Sequence, residues 1–254
     1  MGLYAVTGAA SGIGAAVANM LKAEGNTVIT VDLRNADINV DLSSAEGRAA
    51  AVEAIKKAAP EGLDGFVPCA GVGPQMNPIT LVARINFFGT TALVEGLKDT
   101  LAKKRGSIVL ISSNSAWIAA YDQSYMDALL EGDEEKAVGI IATLDGQTAY
   151  GGSKQALARW MRRNNLDYAK LGIRMNAIAP GYTRTALTEA GEKDPVYGPA
   201  IKAFVDSIPI GRPGEPDDQA AAVSFLLSPK AGFISGSVLY IDGGHDAMFR
   251  SDQF

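Results

Sequence analysis

The sequence predicts an α/β protein built on one doubly wound parallel sheet of about seven strands, with helices on both faces. Short apolar runs alternate with longer segments of helical periodicity over most of the chain. Such alternation is typical of parallel strands joined by helical crossovers. No linker, repeat or low-complexity stretch interrupts it, so we expect a single domain over residues 1–254.

The apolar runs give the strand assignments, and the periodic segments between them give the helices. Ser43, with Glu46 three residues later, predicts a capping box for the second helix. A long helix is expected from about residue 79 to residue 103. The predicted strands cover residues 3–6, 27–32, 37–42, 64–71, 106–112, 173–179 and 237–242.

Composition excludes several classes of protein. The 254 residues include 28 acidic and 23 basic side chains, a net charge of −5, which argues against nucleic acid or a membrane surface as partner. No apolar run approaches the length of about 20 residues that a helix needs to span a bilayer. The only cysteine, Cys69, and the only histidine, His245, exclude a disulfide and a zinc site and disfavour a Ser-His-Asp hydrolase. We therefore expect a cytoplasmic protein with no bound metal.

A glycine-rich turn follows the first strand. Residues 7–14, TGAASGIG, end that strand and open a helix, with glycine at positions 8, 12 and 14. Glycines placed so allow a tight turn, a close backbone approach to a pyrophosphate and close packing of helix on strand. The helix N-terminus adds free N–H donors. This stretch therefore predicts a dinucleotide site.

Acidic residues near the ends of the second and third strands predict which dinucleotide binds. At the position of Asp32 a carboxylate accepts hydrogen bonds from the adenosine ribose and repels a 2′-phosphate, which favours NAD over NADP. Arg34 offsets part of that repulsion. Asp41 and Leu42 are expected beside the adenine.

Tyr150 and Lys154 form the second motif. Tyr150 is the only tyrosine with a lysine four residues later, a spacing that places both side chains on one face of a helix. An ammonium group beside a phenol lowers the phenol pKa, which suits it to exchange protons with an alcohol or a carbonyl.

The glycine turn and the Tyr–Lys helix together resemble the short-chain dehydrogenase/reductase family, from residue 3 to about residue 244. The resemblance implies a Rossmann fold and four catalytic residues. Ser113 is expected to bind the substrate oxygen, and Tyr150 to act as general acid and base. Lys154 is expected to bind the nicotinamide ribose and lower the tyrosine pKa, and Asn86 to hold a water in a proton relay.

The resemblance also implies which residues line the cofactor and substrate sites. Expected cofactor contacts are Gly8, Ser11, Gly12, Ile13, Gly14, Asp32, Asp41, Leu42, Ala70, Gly71, Tyr150, Lys154, Pro180, Gly181, Thr183 and Thr185. Expected substrate contacts are Ser113, Trp117, Tyr150 and Leu187, and the Gly- and Pro-rich residues 182–218 are expected to form a lid over them.

The gap between Ser113 and Tyr150 is longer than is usual in the family. We expect residues 116–147 to form a helical insertion near the mouth of the active site, or a solvated decoration without a role. With this insertion, the stretch DLSSAEGR at residues 41–48 and the final QF, the chain resembles the bacterial hydroxysteroid dehydrogenase/carbonyl reductases of the family. In those proteins such an insertion covers the face used for tetramers, which implies a homodimer through the last helix and strand.

Four further residues have local interpretations of their own. Gly151 and Gly152, between the tyrosine and the lysine, are predicted to leave room for the nicotinamide and the carbonyl. Cys69 is expected to be an unreactive buried side chain. His245 is expected to be a surface or a hydrogen-bonded histidine.

The sequence thus predicts an NAD(H)-dependent oxidoreductase that interconverts a small-molecule ketone and a secondary alcohol, with a bulky hydrophobic substrate. A β-ketoacyl-thioester reductase is an alternative, although NADP and a tetramer would then be expected. A non-catalytic nucleotide-sensing module on the same fold is another, and the four intact catalytic residues argue against it. A sugar-nucleotide epimerase would need a longer C-terminal half. The identity of the substrate stays open.

Overall fold

The structure, a computed structural model, describes residues 1–192 and 198–253, apart from the side chains of Leu187, Ala190 and Gly191. The strands are β1 (Leu3–Thr7), β2 (Thr27–Asp32), β3 (Ile38–Asn39), β4 (Gly65–Pro68), β5 (Ser107–Ile111), β6 (Arg174–Pro180) and β7 (Val238–Ile241). They form one seven-stranded sheet in the order β3-β2-β1-β4-β5-β6-β7, and all neighbouring strands are parallel. The predicted fold is confirmed.

Helices join the strands and cover both faces of the sheet. They are α1 (Gly12–Ala23), α2 (Ala45–Ala58), α3 (Thr80–Ala83), α4 (Thr90–Gly96), α5 (Lys98–Ala102), α6 (Gln123–Glu131), α7 (Glu134–Ile141), α8 (Gly146–Ala169), α9 (Ala186–Glu192), α10 (Gly198–Asp206), α11 (Pro216–Leu227) and α12 (His245–Phe249). A π-helical segment, Arg84–Gly89, and two 3₁₀ turns, Asn114–Trp117 and Pro229–Ala231, complete the set. In the described part of the chain, no helix is long and apolar enough to cross a membrane.

The order of the strands reverses between β1 and β4. From β1 the chain builds outward to β2 and β3, and from β4 it builds outward the other way. The loops at the carboxyl ends of these two strands therefore diverge and leave a crevice, where ligands bind in open α/β sheets. The glycine turn after β1 lies at this crevice.

Both faces of the sheet are buried, which explains the continuous apolar runs in the sequence. All five residues of β5 are buried, for example. One core cluster lies under α1 and α11, and includes Val17 and Val223. The larger cluster lies on the other face and includes Ile55, Leu93 and Leu157.

The prediction of one long helix over residues 79–103 is wrong. The segment is divided into α3, the π-helical segment, α4 and α5. A break follows α4 at Leu97, whose φ of −96° and ψ of 2° depart from helical values. A π-helical turn shifts the following residues around the helix axis, and such turns are frequent at functional sites.

The cap of α2 and the end of β3 also differ from the prediction. Ser44, not Ser43, caps α2 by accepting a hydrogen bond from the Gly47 N–H at 3.0 Å. The Ser43 N–H instead donates to the Asp41 carboxylate at 2.8 Å. Strand β3 ends at Asn39, so Asp41 lies in the loop beyond it.

The insertion of residues 116–147 forms α6 and α7 and is part of the core. Tyr125, Met126, Leu129 and Ile141 are each at most 1% exposed and belong to the larger core cluster. A solvated decoration would not bury side chains of this size. The insertion therefore belongs to the folded unit.

An ion pair fixes the start of α7. The Arg48 guanidinium donates to both oxygens of Glu134, at 2.6 and 2.9 Å, and its Nε donates to the Leu42 carbonyl at 2.9 Å. The two side chains are 7% and 26% exposed. Bidentate pairs of this kind are among the stronger polar contacts in proteins.

Glu134→Ala is expected to lower the free energy of unfolding by about 2 kcal/mol, because it leaves donors of a buried guanidinium without their acceptor. The melting temperature should fall by roughly 4–8 °C. Glu135→Ala is the control, since Glu135 is 86% exposed and its contact to Arg84 is long, at 3.6 Å. Equal melting temperatures for the two variants would contradict this role of Glu134.

Candidate active site

The glycine turn closes tightly on the neighbouring strand. Gly8 and Gly12 have φ values of 65° and 54°, in the left-handed region that favours glycine. A Cβ on Gly8 would lie 2.8 Å from backbone atoms of Ala70, and one on Gly14 would overlap the Gly8 carbonyl. Close contacts thus explain glycine at positions 8 and 14, and the backbone conformation explains it at position 12, whereas the close approach of a pyrophosphate stays a prediction.

Asp32 and Asp41 lie at one end of the crevice. The Asp32 carboxylate accepts the Ala10 N–H at 3.0 Å and the Leu33 N–H at 2.7 Å, which ties the end of β2 to the glycine turn. A carboxylate has room for about two further hydrogen bonds. Hydrogen bonds from Ser43 lower the pKa of Asp41.

Tyr150, Lys154 and Ser113 lie at the other end. Tyr150 and Lys154 are one turn apart on α8, and Ser113 follows β5. The Lys154 Nζ lies 5.7 Å from the centre of the Tyr150 ring and donates to the Ile111 carbonyl at 2.9 Å. The Ser112 hydroxyl donates to the Lys154 carbonyl at 3.0 Å, which holds the end of β5 against α8.

The predicted lowering of the Tyr150 pKa by Lys154 is wrong for this structure. Burial raises the pKa of Tyr150, and a hydrogen bond from Ser113 opposes that shift. Burial also lowers the pKa of Lys154, to about 8, because the ammonium group has little contact with water. Tyr150 is therefore a neutral phenol at neutral pH, able to donate its proton.

The burial of Lys154 predicts how stability depends on pH. The pKa of Lys154 is about 8 in the folded protein against 10.5 for an ordinary lysine, so the unfolded chain binds more protons between these values. The free energy of unfolding should rise with pH in that window, by about 2 kcal/mol between pH 8 and pH 10. Melting curves of the protein and of Lys154→Met measure this, and the variant should lack the rise. If the difference in stability between the protein and Lys154→Met did not change with pH, the lowered pKa of Lys154 would be contradicted.

Asn86 occupies the π-helical segment and is fully buried. Its side-chain oxygen accepts the Val72 N–H at 2.8 Å, and its amide nitrogen donates to the Val72 carbonyl at 3.0 Å. A Cβ on Gly71 would lie 3.2 Å from the Asn86 oxygen and 3.6 Å from the Lys154 Nζ. Asn86 thus anchors the chain that passes Lys154, and its role in a proton relay stays a prediction.

The pair Gly151 and Gly152 does not serve the purpose predicted from the sequence. Helix α8 begins at Gly146, so these glycines lie beyond its first turn. A Cβ on Gly151 would overlap the ring of Tyr121, and one on Gly152 would lie 3.0 Å from the ring of Tyr125. The glycines make room for two tyrosines of the insertion, not for a nicotinamide.

The loop after β6 divides into inner and outer residues. Gly181 packs on Asp242, because a Cβ on Gly181 would lie only 2.6 Å from the Asp242 Cα. Thr183 is 3% exposed and accepts a hydrogen bond from Gln219 at 3.1 Å. Thr185 instead approaches Gly12, since a Cβ added to Gly12 would lie 3.4 Å from the Thr185 methyl group. The structure therefore favours a cofactor contact by Thr185, and a contact by the buried Thr183 side chain stays a prediction.

The predicted substrate contacts are only partly described. Leu187 lies in α9, but its side chain is outside the described residues. The half-buried Trp117 ring lies 5.8 Å below the Arg250 guanidinium. His245 is fully buried, and its Nε2 lies 2.9 Å from the Ser207 hydroxyl, which confirms a hydrogen-bonded rather than a surface histidine.

A groove of about 380 Å³ connects the acidic end of the crevice with the Tyr–Lys end. Of the predicted cofactor contacts, it is lined by Gly8, Ser11, Gly12, Ile13, Gly14, Asp32, Asp41, Leu42, Ala70, Gly71, Tyr150, Lys154 and Thr185. Pro180, Gly181 and Thr183 do not line it. Sequence reasoning missed Leu33, Val40, Cys69, Val72, Ile85, Ile111 and Ala186, most of which adjoin a predicted contact. Cys69 is partly exposed there, and burial raises its thiol pKa to about 12, which disfavours the reactive thiolate; its lack of reactivity stays a prediction.

Comparison with known families agrees with this geometry. The family model for short chain dehydrogenases matches residues 3–125, and a second, described as enoyl-(acyl carrier protein) reductase, matches residues 136–246. The chain belongs to the short-chain dehydrogenase/reductase family and is an oxidoreductase.

Individual relatives match all or nearly all of the chain. It is 39% identical to the 3-alpha-hydroxysteroid dehydrogenase/carbonyl reductase of Comamonas testosteroni, over 100% of both chains. It is 42% identical to the 3-alpha-hydroxysteroid dehydrogenase of Pseudomonas sp. B-0831, solved in complex with NADH, with a TM-score of 0.95 over 99% of this chain and 100% of that one. It is also 29% identical to the acetoacetyl-CoA reductase of Synechocystis sp., over 94% of each chain.

Proposed function

We propose that this protein is an NAD(H)-dependent oxidoreductase that interconverts a secondary alcohol and a ketone on a bulky hydrophobic substrate. One observation carries the proposal: a single groove has the Asp32 carboxylate at one end and the Tyr150 hydroxyl, beside Ser113 and Lys154, at the other. The similarity to two hydroxysteroid dehydrogenases supports the substrate class.

The residues of the groove fit a dinucleotide. The glycine turn leaves space that a Cβ would fill, and the N-terminus of α1 offers N–H donors to a pyrophosphate. The free lone pairs of Asp32 suit ribose hydroxyls, whereas its charge repels a 2′-phosphate. When bound, NAD(H) would supply or accept the hydride.

The protein would supply the proton and hold the substrate oxygen. In the direction of reduction the Tyr150 hydroxyl donates its proton to the carbonyl oxygen, and in oxidation the phenolate takes a proton from the alcohol. The Ser113 hydroxyl donates a hydrogen bond to the same oxygen. Lys154, once it turns from the Ile111 carbonyl, is placed to bind the nicotinamide ribose.

A screen of cofactors and ketones tests the proposal. Purified protein is mixed with NADH or NADPH and with a steroidal, a monocyclic or an acyl-thioester ketone, and the absorbance of the reduced nicotinamide is followed. We expect turnover with NADH and a steroidal or cyclic ketone. Binding of NADH without turnover of any ketone would favour a nucleotide-sensing module and overturn the proposal.

A β-ketoacyl-thioester reductase is the second candidate. Two observations favour it, namely the enoyl-(acyl carrier protein) reductase model over residues 136–246 and the similarity to an acetoacetyl-CoA reductase. Faster turnover of the thioester than of the cyclic ketones in the same screen would select it.

A homodimer through the last helix and strand is also part of the proposal, as is the cytoplasmic location expected from the sequence. Strand β7 lies at the edge of the sheet. Apolar side chains around it are exposed, among them Phe233 at 105%, Phe249 at 49% and Leu239 at 39%. Exposed apolar patches of this kind mark interfaces.

Leu239→Glu is expected to convert the dimer to a monomer, because it places a charge in the middle of the proposed interface. Sedimentation equilibrium gives the mass of each species. Leu166→Glu is the control, since Leu166 is 65% exposed and belongs to α8, not to the last helix or strand. A monomeric parent protein, or a dimer that Leu239→Glu leaves intact, would contradict this interface.

A further inference from the structure

Tyr121, at the start of the insertion, packs on α8 next to the catalytic tyrosine. A Cβ on Gly151, the residue after Tyr150, would overlap both the ring and the hydroxyl of Tyr121. Burial raises the pKa of Tyr121, and the nearby Tyr150 phenol and Asp145 carboxylate, whose ionised forms would repel a second phenolate, raise it further. The two phenols therefore lie close enough to interact, and glycine at position 151 makes this possible.

The Tyr121 hydroxyl reaches the loop that follows the catalytic serine. It donates a hydrogen bond to the Ser115 carbonyl oxygen. Ser115 in turn contacts Ser113 twice, because its hydroxyl donates to the Ser113 Oγ at 2.8 Å and its N–H donates to the same atom at 3.2 Å. A continuous path of hydrogen bonds thus links the insertion to Ser113.

These contacts determine the direction of the Ser113 hydrogen bond. A serine hydroxyl has one proton to donate and two lone pairs that accept. Ser115 occupies both accepting positions on Ser113. The Ser113 proton is then left to donate, and Tyr150 is the group whose pKa this hydrogen bond lowers.

We propose that Ser115 and Tyr121 are positioning residues that hold the Ser113 hydroxyl as a hydrogen-bond donor toward the substrate oxygen. The inference rests on the proposed function and deepens it, since it assigns a task in ketone reduction to the insertion. Ser115 acts directly on Ser113, and Tyr121 acts by holding the Ser115 backbone. Gly151 is the matching residue on α8 that allows Tyr121 to lie there.

A donor aimed in advance at a carbonyl oxygen needs no rearrangement when charge develops on that oxygen. Loss of such a donor lowers kcat by about 100- to 1,000-fold in other enzymes. Removal of Ser115 leaves the donor present but free to rotate, so a smaller loss, of about tenfold, is expected.

Kinetics of Ser115→Ala, Ser115→Thr and Tyr121→Phe test the inference with the ketone that the parent protein reduces best. We expect kcat/KM to fall about tenfold in Ser115→Ala and about threefold in Tyr121→Phe, and Ser115→Thr, which keeps the hydroxyl, to recover most of the loss. Tyr125→Phe is the matched control, because this buried tyrosine of the same insertion faces Gly152 and bonds only weakly, at 3.4 Å, to the Ala149 carbonyl.

The pH profile separates positioning from mere support of the fold. If Ser113 no longer donates steadily to Tyr150, the pKa of Tyr150 rises. The alkaline limb of kcat/KM for ketone reduction should then move to higher pH in Ser115→Ala and stay in place in Tyr125→Phe. A general loss of stability would lower kcat/KM without moving this limb.

A second set of variants tests the match between Tyr121 and Gly151 without an activity assay. Gly151→Ala alone should lower the melting temperature, and Gly151→Ala combined with Tyr121→Ala should lower it less than the sum of the two single changes. Additive changes would overturn the assignment of Gly151.

The outcomes distinguish the inference from the function on which it rests. If the parent protein reduces no ketone, the proposed function fails and this inference fails with it. If the parent protein is active but Ser115→Ala keeps its kcat/KM and pH profile, only the inference is overturned.

Discussion

Tyr150→Phe should reduce kcat/KM for ketone reduction by about 100- to 10,000-fold, the usual contribution of a general acid. The change removes one hydroxyl and keeps the ring, so the packing around α8 should survive. Burial keeps the Tyr150 phenol protonated at neutral pH, and no other phenol lines the groove among the described residues. Stopped-flow or steady-state assays with NADH measure the loss.

Tyr168→Phe is the matched control for this experiment. Tyr168 is also on α8 and is 2% exposed, but it lies near the opposite end of the helix from Tyr150. It should keep nearly full activity. The acid–base role would be disproved if Tyr150→Phe bound NADH normally and still reduced the ketone at the parental rate.

Asp32→Asn should shift the cofactor preference toward NADPH by about 100-fold or more. The carboxylate is expected to form hydrogen bonds to the ribose of NADH, and hydrogen bonds to a charged group contribute about 1.5–3 kcal/mol each. Its removal weakens NADH binding by that amount and also relieves the repulsion of a 2′-phosphate. Titrations of both cofactors against the protein give the ratio of dissociation constants.

The control for this change is Asp37→Asn. Asp37 is an exposed carboxylate of the neighbouring loop, held by Thr30 at 2.7 Å and not among the groove residues. Its loss should leave the preference unchanged. An unaltered ratio of NADH to NADPH affinity in Asp32→Asn would show that the acidic end of the groove does not contact the ribose.

Local patterns in the sequence were sufficient to predict the sheet and the residues that line one end of the groove, whose contacts with a cofactor stay a prediction. Strand β5 is an unbroken apolar run because both its faces are buried. The glycine turn was predictable because the contacts and backbone angles that require glycine arise within a short stretch of chain. The position of Asp32 was predictable from another local pattern, because an acidic residue ends an apolar strand there.

The rest depends on contacts between distant segments, which periodicity does not report. The π-helical segment around Asn86 continues the same apolar pattern as its flanking helices, so the sequence shows no break there. Gly151 is explained only by Tyr121, thirty residues earlier, whose position depends on how the insertion folds. The pKa values of Tyr150 and Lys154 depend on burial, whereas their spacing alone predicted a shift in the wrong direction for the tyrosine.

A crystal structure of the protein with NAD(H) bound tests the central claim most directly. The account predicts the adenosine ribose on Asp32, the pyrophosphate at the N-terminus of α1, and the nicotinamide ring beside the hydroxyls of Tyr150 and Ser113. A dinucleotide bound elsewhere, or bound in the groove with the Tyr150 hydroxyl directed away from the nicotinamide, would contradict it.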